Sequence, residues 1–134
     1  MGELLEFSEE DLYTYLAKCL RIIDGDTLEL DIDLGLHAHV IEKVRLADID
    51  TPEVYGVKKD SEEYKAGKKA SDRVRDLIFE DGKPGSKQLW VQTQKDAEGK
   101  YGRYVVKVFL YVDTEFVCLN DLLVKEGLAE YKEY

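Results

Sequence analysis

Leu28-Glu29-Leu30-Asp31-Ile32-Asp33-Leu34 alternates apolar and acidic residues without a break. Successive side chains of an extended strand point to opposite faces, so this stretch predicts a half-buried antiparallel strand with its aliphatic residues inward and its acids in water. The strand-like text begins at Tyr13. Asp24-Gly25-Asp26-Thr27 interrupts it with a turn or bulge, where glycine tolerates a kink that a β-branched residue would not. Carried backwards from Leu28, the alternation puts Asp26 on the apolar face, and a carboxylate buried there needs a cation.

Further along, Gly35 to His39 reads as a loop and Val40 to Ile49 as another strand, closed at Pro52, which cannot donate to a ladder. Between Asp60 and Glu80, the residues Tyr64, Gly67, Ala70, Val74, Leu77 and Ile78 recur at helical spacing, with Asp60 expected as the cap and Glu63 as its N3 partner. Asp81-Gly82-Lys83-Pro84-Gly85 ends that helix. Gln88 to Thr93 and Tyr104 to Val112 then read as strands around a loop from Lys95 to Arg103. A turn at Asp113-Thr114-Glu115 precedes a short helix started by Asn120-Asp121 and capped by Gly127. Five strands, one helix between the third and fourth, and another near the end predict an α+β chain that is mainly β: a five-stranded barrel of OB type with two or three helices.

The chain of 134 residues is long enough to bury one core without disulfides or a structural metal. Residues 1–12 form an acidic N-terminal segment, and 13–134 are expected to form the single folded domain. No run of about 18 apolar residues suits a bilayer, and the start Met1-Gly2-Glu3-Leu4-Leu5-Glu6 lacks a basic end followed by an apolar stretch. No membrane partner is expected. A cytoplasmic monomer is the default expectation, with secretion open if a leader was removed. Cys19 and Cys118 sit in apolar text without CxxC spacing and read as buried free thiols.

Three clusters carry chemistry: Ile23-Asp24-Gly25-Asp26-Thr27, Val44-Arg45-Leu46-Ala47-Asp48-Ile49-Asp50-Thr51-Pro52-Glu53, and Lys100-Tyr101-Gly102-Arg103. A hard cation such as calcium takes oxygen ligands, so Asp26, Asp50 and a strand-end carbonyl such as that of Thr51 make a partial shell, completed by water and phosphate. A carboxylate beside the metal, Glu53, suits activation of the attacking water. Arg45 and Arg103 suit neutralisation of the charge that builds on a phosphate. The net charge of −10 argues against a sequence-independent nucleic-acid binder, but a hydrolase needs only a local positive site and a divalent metal.

The motifs Asp-Gly-Asp-Thr, Arg-Leu-x-x-x-Asp-Thr-Pro-Glu and Lys-Tyr-Gly-Arg, followed by Leu123-Val124-Lys125-Glu126-Gly127-Leu128-Ala129, resemble those of the staphylococcal nuclease family in order and spacing from Tyr15 to Ala129. The resemblance implies a calcium-dependent nuclease acting on DNA and RNA and leaving 3′-phosphate ends. It implies that Asp26, Asp50 and the Thr51 carbonyl bind calcium, Glu53 activates water, Arg45 holds the scissile phosphate and Arg103 assists the leaving oxygen. It also implies that Lys100 and Tyr101 contact a substrate phosphate, with Asp24 a carboxylate one step back from the metal. The chain departs from the family pattern at Gly99 and Asp48, and Tyr131 and Tyr134 do not align with the family's base-stacking tyrosines without a gap.

The alternative is a catalytically inactive nuclease-like module that binds nucleic acid or a protein partner. Such modules typically lose the carboxylates or arginines that this chain keeps. A plain OB-type binder of single strands would need a basic groove and interleaved aromatics instead. Lys65, Lys68, Lys69 and Arg73 on the main helix read either as a solvated face or as a guide for nucleic acid. His37 and His39 read as solvated loop residues, Trp90 and Phe109 as core, and Tyr101 as the stacking candidate.

Overall fold

In a computed structural model the described residues are 12–98 and 104–132. Strand β1 (Thr14–Asp24) turns through Gly25-Asp26 into β2 (Thr27–Gly35), and a second tight turn leads into β3 (Ala38–Leu46). Then come the short β4 (Ile49–Asp50), helix α1 (Glu62–Ile78), strands β5 (Leu89–Glu98), β6 (Tyr104–Val112) and β7 (Glu115–Cys118), helix α2 (Leu119–Lys125) and the short β8 (Glu130–Tyr131).

The strand order is β3-β2-β1-β5-β6-β7, and a parallel pairing of Val44, Arg45 and Leu46 with Tyr104, Val105 and Val106 joins β3 to β6. That pairing closes β1, β2, β3, β5 and β6 into a five-stranded barrel, while β7 extends β6 and β4 pairs separately with β8. This is the OB arrangement expected from the pattern: mainly β, with α1 between the third and fourth barrel strands.

The alternation of β2 places Leu28, Leu30 and Ile32 in the core, where they meet Val44 and Leu46 of β3 and Leu89, Val91, Val108 and Leu110 of β5 and β6. Leu34, expected inward, is half exposed because the strand has left the barrel there. Helix α1 covers one end with Ala70, Val74, Leu77 and Ile78, and α2 adds Leu119 and Leu123. Each fully buried aliphatic side chain contributes roughly 1.5–3 kcal/mol. No described helix is long and apolar enough to cross a membrane.

Several local expectations need correction. The cap of α1 is Ser61, whose hydroxyl accepts from the Tyr64 N–H at 3.1 Å, so Asp60 and Glu63 form no capping box. The strand predicted as Gln88–Thr93 is β5 and runs on to Glu98, which takes Lys95 to Glu98 out of the expected loop; the remaining loop residues 99–103 lie outside the described residues. The strand predicted from Val40 to Ile49 breaks at Ala47-Asp48, where Asp48 takes the left-handed conformation (φ 62°) that Asp tolerates better than branched residues. Helix α2 starts one residue before Asn120, whose side chain is used elsewhere. Gly127 (φ 76°) does stop it, with the Leu128 N–H on the Leu123 carbonyl and the Gly127 N–H on that of Val124.

Trp90 and Phe109 are not in the core. They stand half-buried on the outer face of β5 and β6 with Tyr111 and Phe116, the Phe109 and Phe116 rings stacked 5.8 Å apart. Both cysteines are free thiols; Cys19 is buried, its thiol pushed up to about 12 by that burial, and Cys118 is only partly buried. Most of the acidic segment 1–12 lies outside the described residues.

Candidate active site

The site forms where the β1–β2 turn meets the ends of β3 and β4. Thr27 pairs with Arg45 across β2 and β3, and the Leu46 N–H donates to the Asp26 carbonyl, so the register itself sets Asp26 beside Arg45. Asp26 is 2% exposed. One Arg45 guanidinium nitrogen lies 2.6 Å from its Oδ2, the Thr51 N–H donates to the same oxygen at 3.0 Å, and the Thr27 hydroxyl donates to Oδ1 at 3.1 Å. The cation that a buried Asp26 requires is therefore Arg45.

The same guanidinium donates to Asp50 Oδ1 at 3.2 Å and to the Ile49 carbonyl at 3.3 Å. Arg45 thus bridges the two carboxylates in a forked geometry that a lysine could not copy. Beyond them Asp50, Thr51 and Glu53 line a cleft of about 490 Å³, together with Glu62, Glu63 and the Gly127–Glu130 segment. Glu53 is exposed to solvent. Its carboxyl is pushed up from the ordinary range by partial desolvation first, then by the negative charges of Asp26 and Asp50, with Arg45 opposing.

Helix α1 presses on this site through two small residues. A Cβ on Gly67 would meet the backbone carbonyls of Pro52 and Glu53 at 2.7 Å, and one on Gly25 would meet the Ala70 Cβ at 2.9 Å and the Thr51 hydroxyl at 3.1 Å. Gly25 has no positive φ. The turn needs glycine for space against α1 and not for an unusual backbone. Gly67 gives up roughly 0.8–1 kcal/mol of helix propensity relative to alanine, and in exchange the Pro52-Glu53 backbone lies directly against the helix.

Sequence reasoning missed two further participants. Lys132 follows β8, whose pairing with β4 and a bond from the Lys132 N–H to the Asp48 carbonyl bring its amine to 3.8 Å from Asp50 Oδ2. No motif marks it. Asn120 is 2% exposed and ties three segments: its amide accepts from the Val108 N–H and donates to the carbonyls of Ala47 and Val106, all at 3.0–3.1 Å. Its place beside Asp121 at the start of a short helix gave no sign of this role.

Asp24 stands half-buried at the end of β1, in register with Thr27. Lys100, Tyr101 and Arg103 lie outside the described residues, as do Gly99 and Tyr134. His39 makes a surface pair with Asp31 at 3.0 Å, and His37 is exposed in its turn.

Arg45 on β3, Asp26 in the β1–β2 turn, Asp50 on β4 and Thr51 and Glu53 just after it thus come from the first two sequence clusters to one end of the barrel. A family model described as staphylococcal nuclease homologue matches residues 43–134. The chain is 36% identical over 121 residues to a thermonuclease of Staphylococcus intermedius, covering 90% of this chain and 61% of that one. It is 32% identical over 117 residues to a thermonuclease of Staphylococcus hyicus, covering 87% and 59%. A third relative, endonuclease YhcR of Bacillus subtilis, is 33% identical over 113 residues, 81% of this chain but 8% of that protein. The chain therefore spans about three fifths of the two thermonucleases' length and belongs to the staphylococcal nuclease homologue family.

Proposed function

We infer that the chain is a calcium-dependent nuclease that hydrolyses phosphodiester bonds of DNA and RNA and leaves 3′-phosphate ends. The observation that carries this reading is the Arg45 guanidinium held between Asp26, which is buried, and Asp50, which itself lines a cleft that also contains Glu53.

The donors suit a hard divalent cation. They are oxygens only: the carboxylates of Asp26 and Asp50, and Thr51, whose hydroxyl is buried with no hydrogen-bond partner among the described residues. Among the described residues three carboxylates, Asp26, Asp50 and Glu53, face the Arg45 guanidinium and the more distant Lys132, a balance that would favour a bound cation. Among the described residues no three of His, Cys, Asp or Glu converge to cage a metal unaided, so the Thr51 carbonyl, water and substrate phosphate would complete the shell. Bound there, calcium would polarise the phosphate and acidify water.

The chain's own groups then divide the work. Glu53 accepts the proton of a water aimed at phosphorus, and the P–O5′ bond breaks as the new P–O bond forms. Arg45 exchanges part of its pairing with Asp26 and Asp50 for two bonds to the scissile phosphate, and Arg103 neutralises the leaving oxygen. Lys100 and Tyr101 hold a flanking phosphate, and Asp24 supports the metal carboxylates from behind. The protein acts as a monomer.

The second reading is an inactive module that binds nucleic acid or a protein. It is favoured by the fact that Arg45 is already engaged by both acids. Digestion of single-stranded DNA with calcium and then with chelator separates the two. Calcium-dependent cleavage leaving 3′-phosphates, lost by orders of magnitude in Glu53→Gln, is expected; tight metal-independent binding without cleavage would establish the module instead.

A further inference from the structure

A second groove, of about 570 Å³, runs along α1 from the catalytic cleft and shares Leu128 with it. The cleft is walled by the acidic first turn of the helix, Glu62 and Glu63, whereas the groove is walled by Lys65, Lys68, Lys69 and Arg73 of the following turns, with Lys59 and Tyr64 at its near end. Five cations face three carboxylates, Asp72, Asp76 and Glu126, in a chain whose net charge is −10. The groove is therefore a local reversal of the protein's field beside the proposed site of cutting.

Its cations differ in how they are held. Arg73 is locked by a two-pronged pair with Glu126 at 2.7 and 2.9 Å and forms the far wall. Lys68 donates to both carboxylate oxygens of Asp72 at 3.3 Å and Lys65 reaches Glu62 at 3.7 Å, in largely exposed pairs that are easily exchanged. Lys59 and Lys69 are exposed and have no partner among the described residues. Lys65 to Arg73 spans about 12 Å along the helix axis, one lysine or arginine face at i, i+3, i+4 and i+8.

We propose that this groove carries the phosphates of a single polynucleotide strand as it leaves the cleft, so that it sets the preference for long substrates. This rests on the nuclease reading. An acidic protein gathers little affinity from its surface as a whole, so a strand longer than the cleft depends on the one cationic track continuous with it among the described residues. Lys59 and Lys69 supply fresh phosphate contacts, Lys65 and Lys68 exchange carboxylate for phosphate, and Tyr64 offers a ring to a base at the junction.

The test uses the double variant Lys59→Glu with Lys69→Glu, and as a control of equal charge change Lys43→Glu with Lys18→Glu, exposed lysines on β3 and β1 that do not line the groove. On a 20-nucleotide oligothymidylate the double variant is expected to raise KM about 10-fold at unchanged kcat, and to flatten the dependence of log K on log salt by roughly 0.7 for each phosphate no longer neutralised. On a trinucleotide both parameters should stay where they are. An unchanged KM on the 20-mer would overturn the proposal, as would an equal rise in the Lys43 and Lys18 control, which would assign the effect to net charge. If no substrate is cut, the nuclease reading fails, and anisotropy of the labelled 20-mer still decides the groove: binding weakened only by the double variant keeps it, and unaltered binding removes it.

Discussion

Two buried polar knots hold this barrel, and they are built on opposite terms. Asn120 is neutral, and each of its amide groups meets a backbone partner: Val108 N–H on one side, Ala47 and Val106 carbonyls on the other. The Asp26–Arg45–Asp50 knot is charged, and its acids outnumber the guanidinium they share. A satisfied neutral knot has nothing left to offer a ligand, so it serves architecture. A charged knot whose guanidinium is divided between two acids, one of them 39% exposed, can exchange part of that pairing for a ligand, which is what a binding site would require.

Arg45→Met should separate the two most sharply. It strands Asp26 in an apolar wall, which costs about 3–5 kcal/mol when one partner of a buried pair is removed. Urea unfolding in chelator should register that destabilisation, and turnover should fall by orders of magnitude. A variant that stays active would show that Arg45 is a structural counter-ion alone. Asn120→Ala should cost about 2–4 kcal/mol, because the Val108 N–H and the Ala47 carbonyl are left without their partner. Here activity per folded molecule should be unchanged, and a fall in kcat beyond the unfolded fraction would blur the division between an architectural knot and a chemical one.

Gly67→Ala tests how closely α1 holds the site. Propensity alone would stabilise the helix by about 1 kcal/mol. The added methyl instead meets the backbone of Pro52 and Glu53, so displacement of Glu53 should lower turnover by roughly 10- to 100-fold with a small change in melting temperature. The weakest effect belongs to the pair of Arg73 with Glu126, which is partly exposed. The bond from Arg73 holds the Glu126 carboxyl below its ordinary range. A lowered folded pKa means that the pair stabilises above the unfolded value of about 4.3, and that this stabilisation disappears as pH falls through the folded one. Melting curves taken from pH 7 downward should show Glu126→Gln less stable by under about 1 kcal/mol at pH 7, with the gap narrowing as the carboxyl takes up its proton.

The members of the charged knot stand out in the sequence and that of the neutral one does not. Asp26, Arg45, Asp50, Thr51 and Glu53 sit in two short motifs, and the strict alternation of β2 gives the face on which Asp26 is buried, but the pairing of Arg45 with both acids depends on the register of β2 with β3 and is not legible in either motif. Asn120, by contrast, reads as a helix start because asparagine caps helices far more often than it bridges strands. Its role depends on β6 and on the turn after β3 arriving at the same place, which no local pattern encodes. The same holds for Lys132, delivered by the pairing of β8 with β4, and for Trp90 and Phe109, where a run of apolar residues hid the face on which each one stands. Gly25 does sit in a bend as its neighbours suggest, but for a reason that only α1 supplies.

The knots differ also in the length of chain they tie. Thr51 reaches Asp26 across 25 residues, while Asn120 reaches Ala47 across 73. Loop closure costs more as that distance grows, and contacts between remote segments form late. On a ribosome, where the chain emerges from its N-terminus, the first four strands can bring Asp26, Arg45 and Asp50 together while the strands that close the barrel are still being made. The nascent protein would then hold its acids and its arginine in mutual neutralisation before it has a cleft in which to use them.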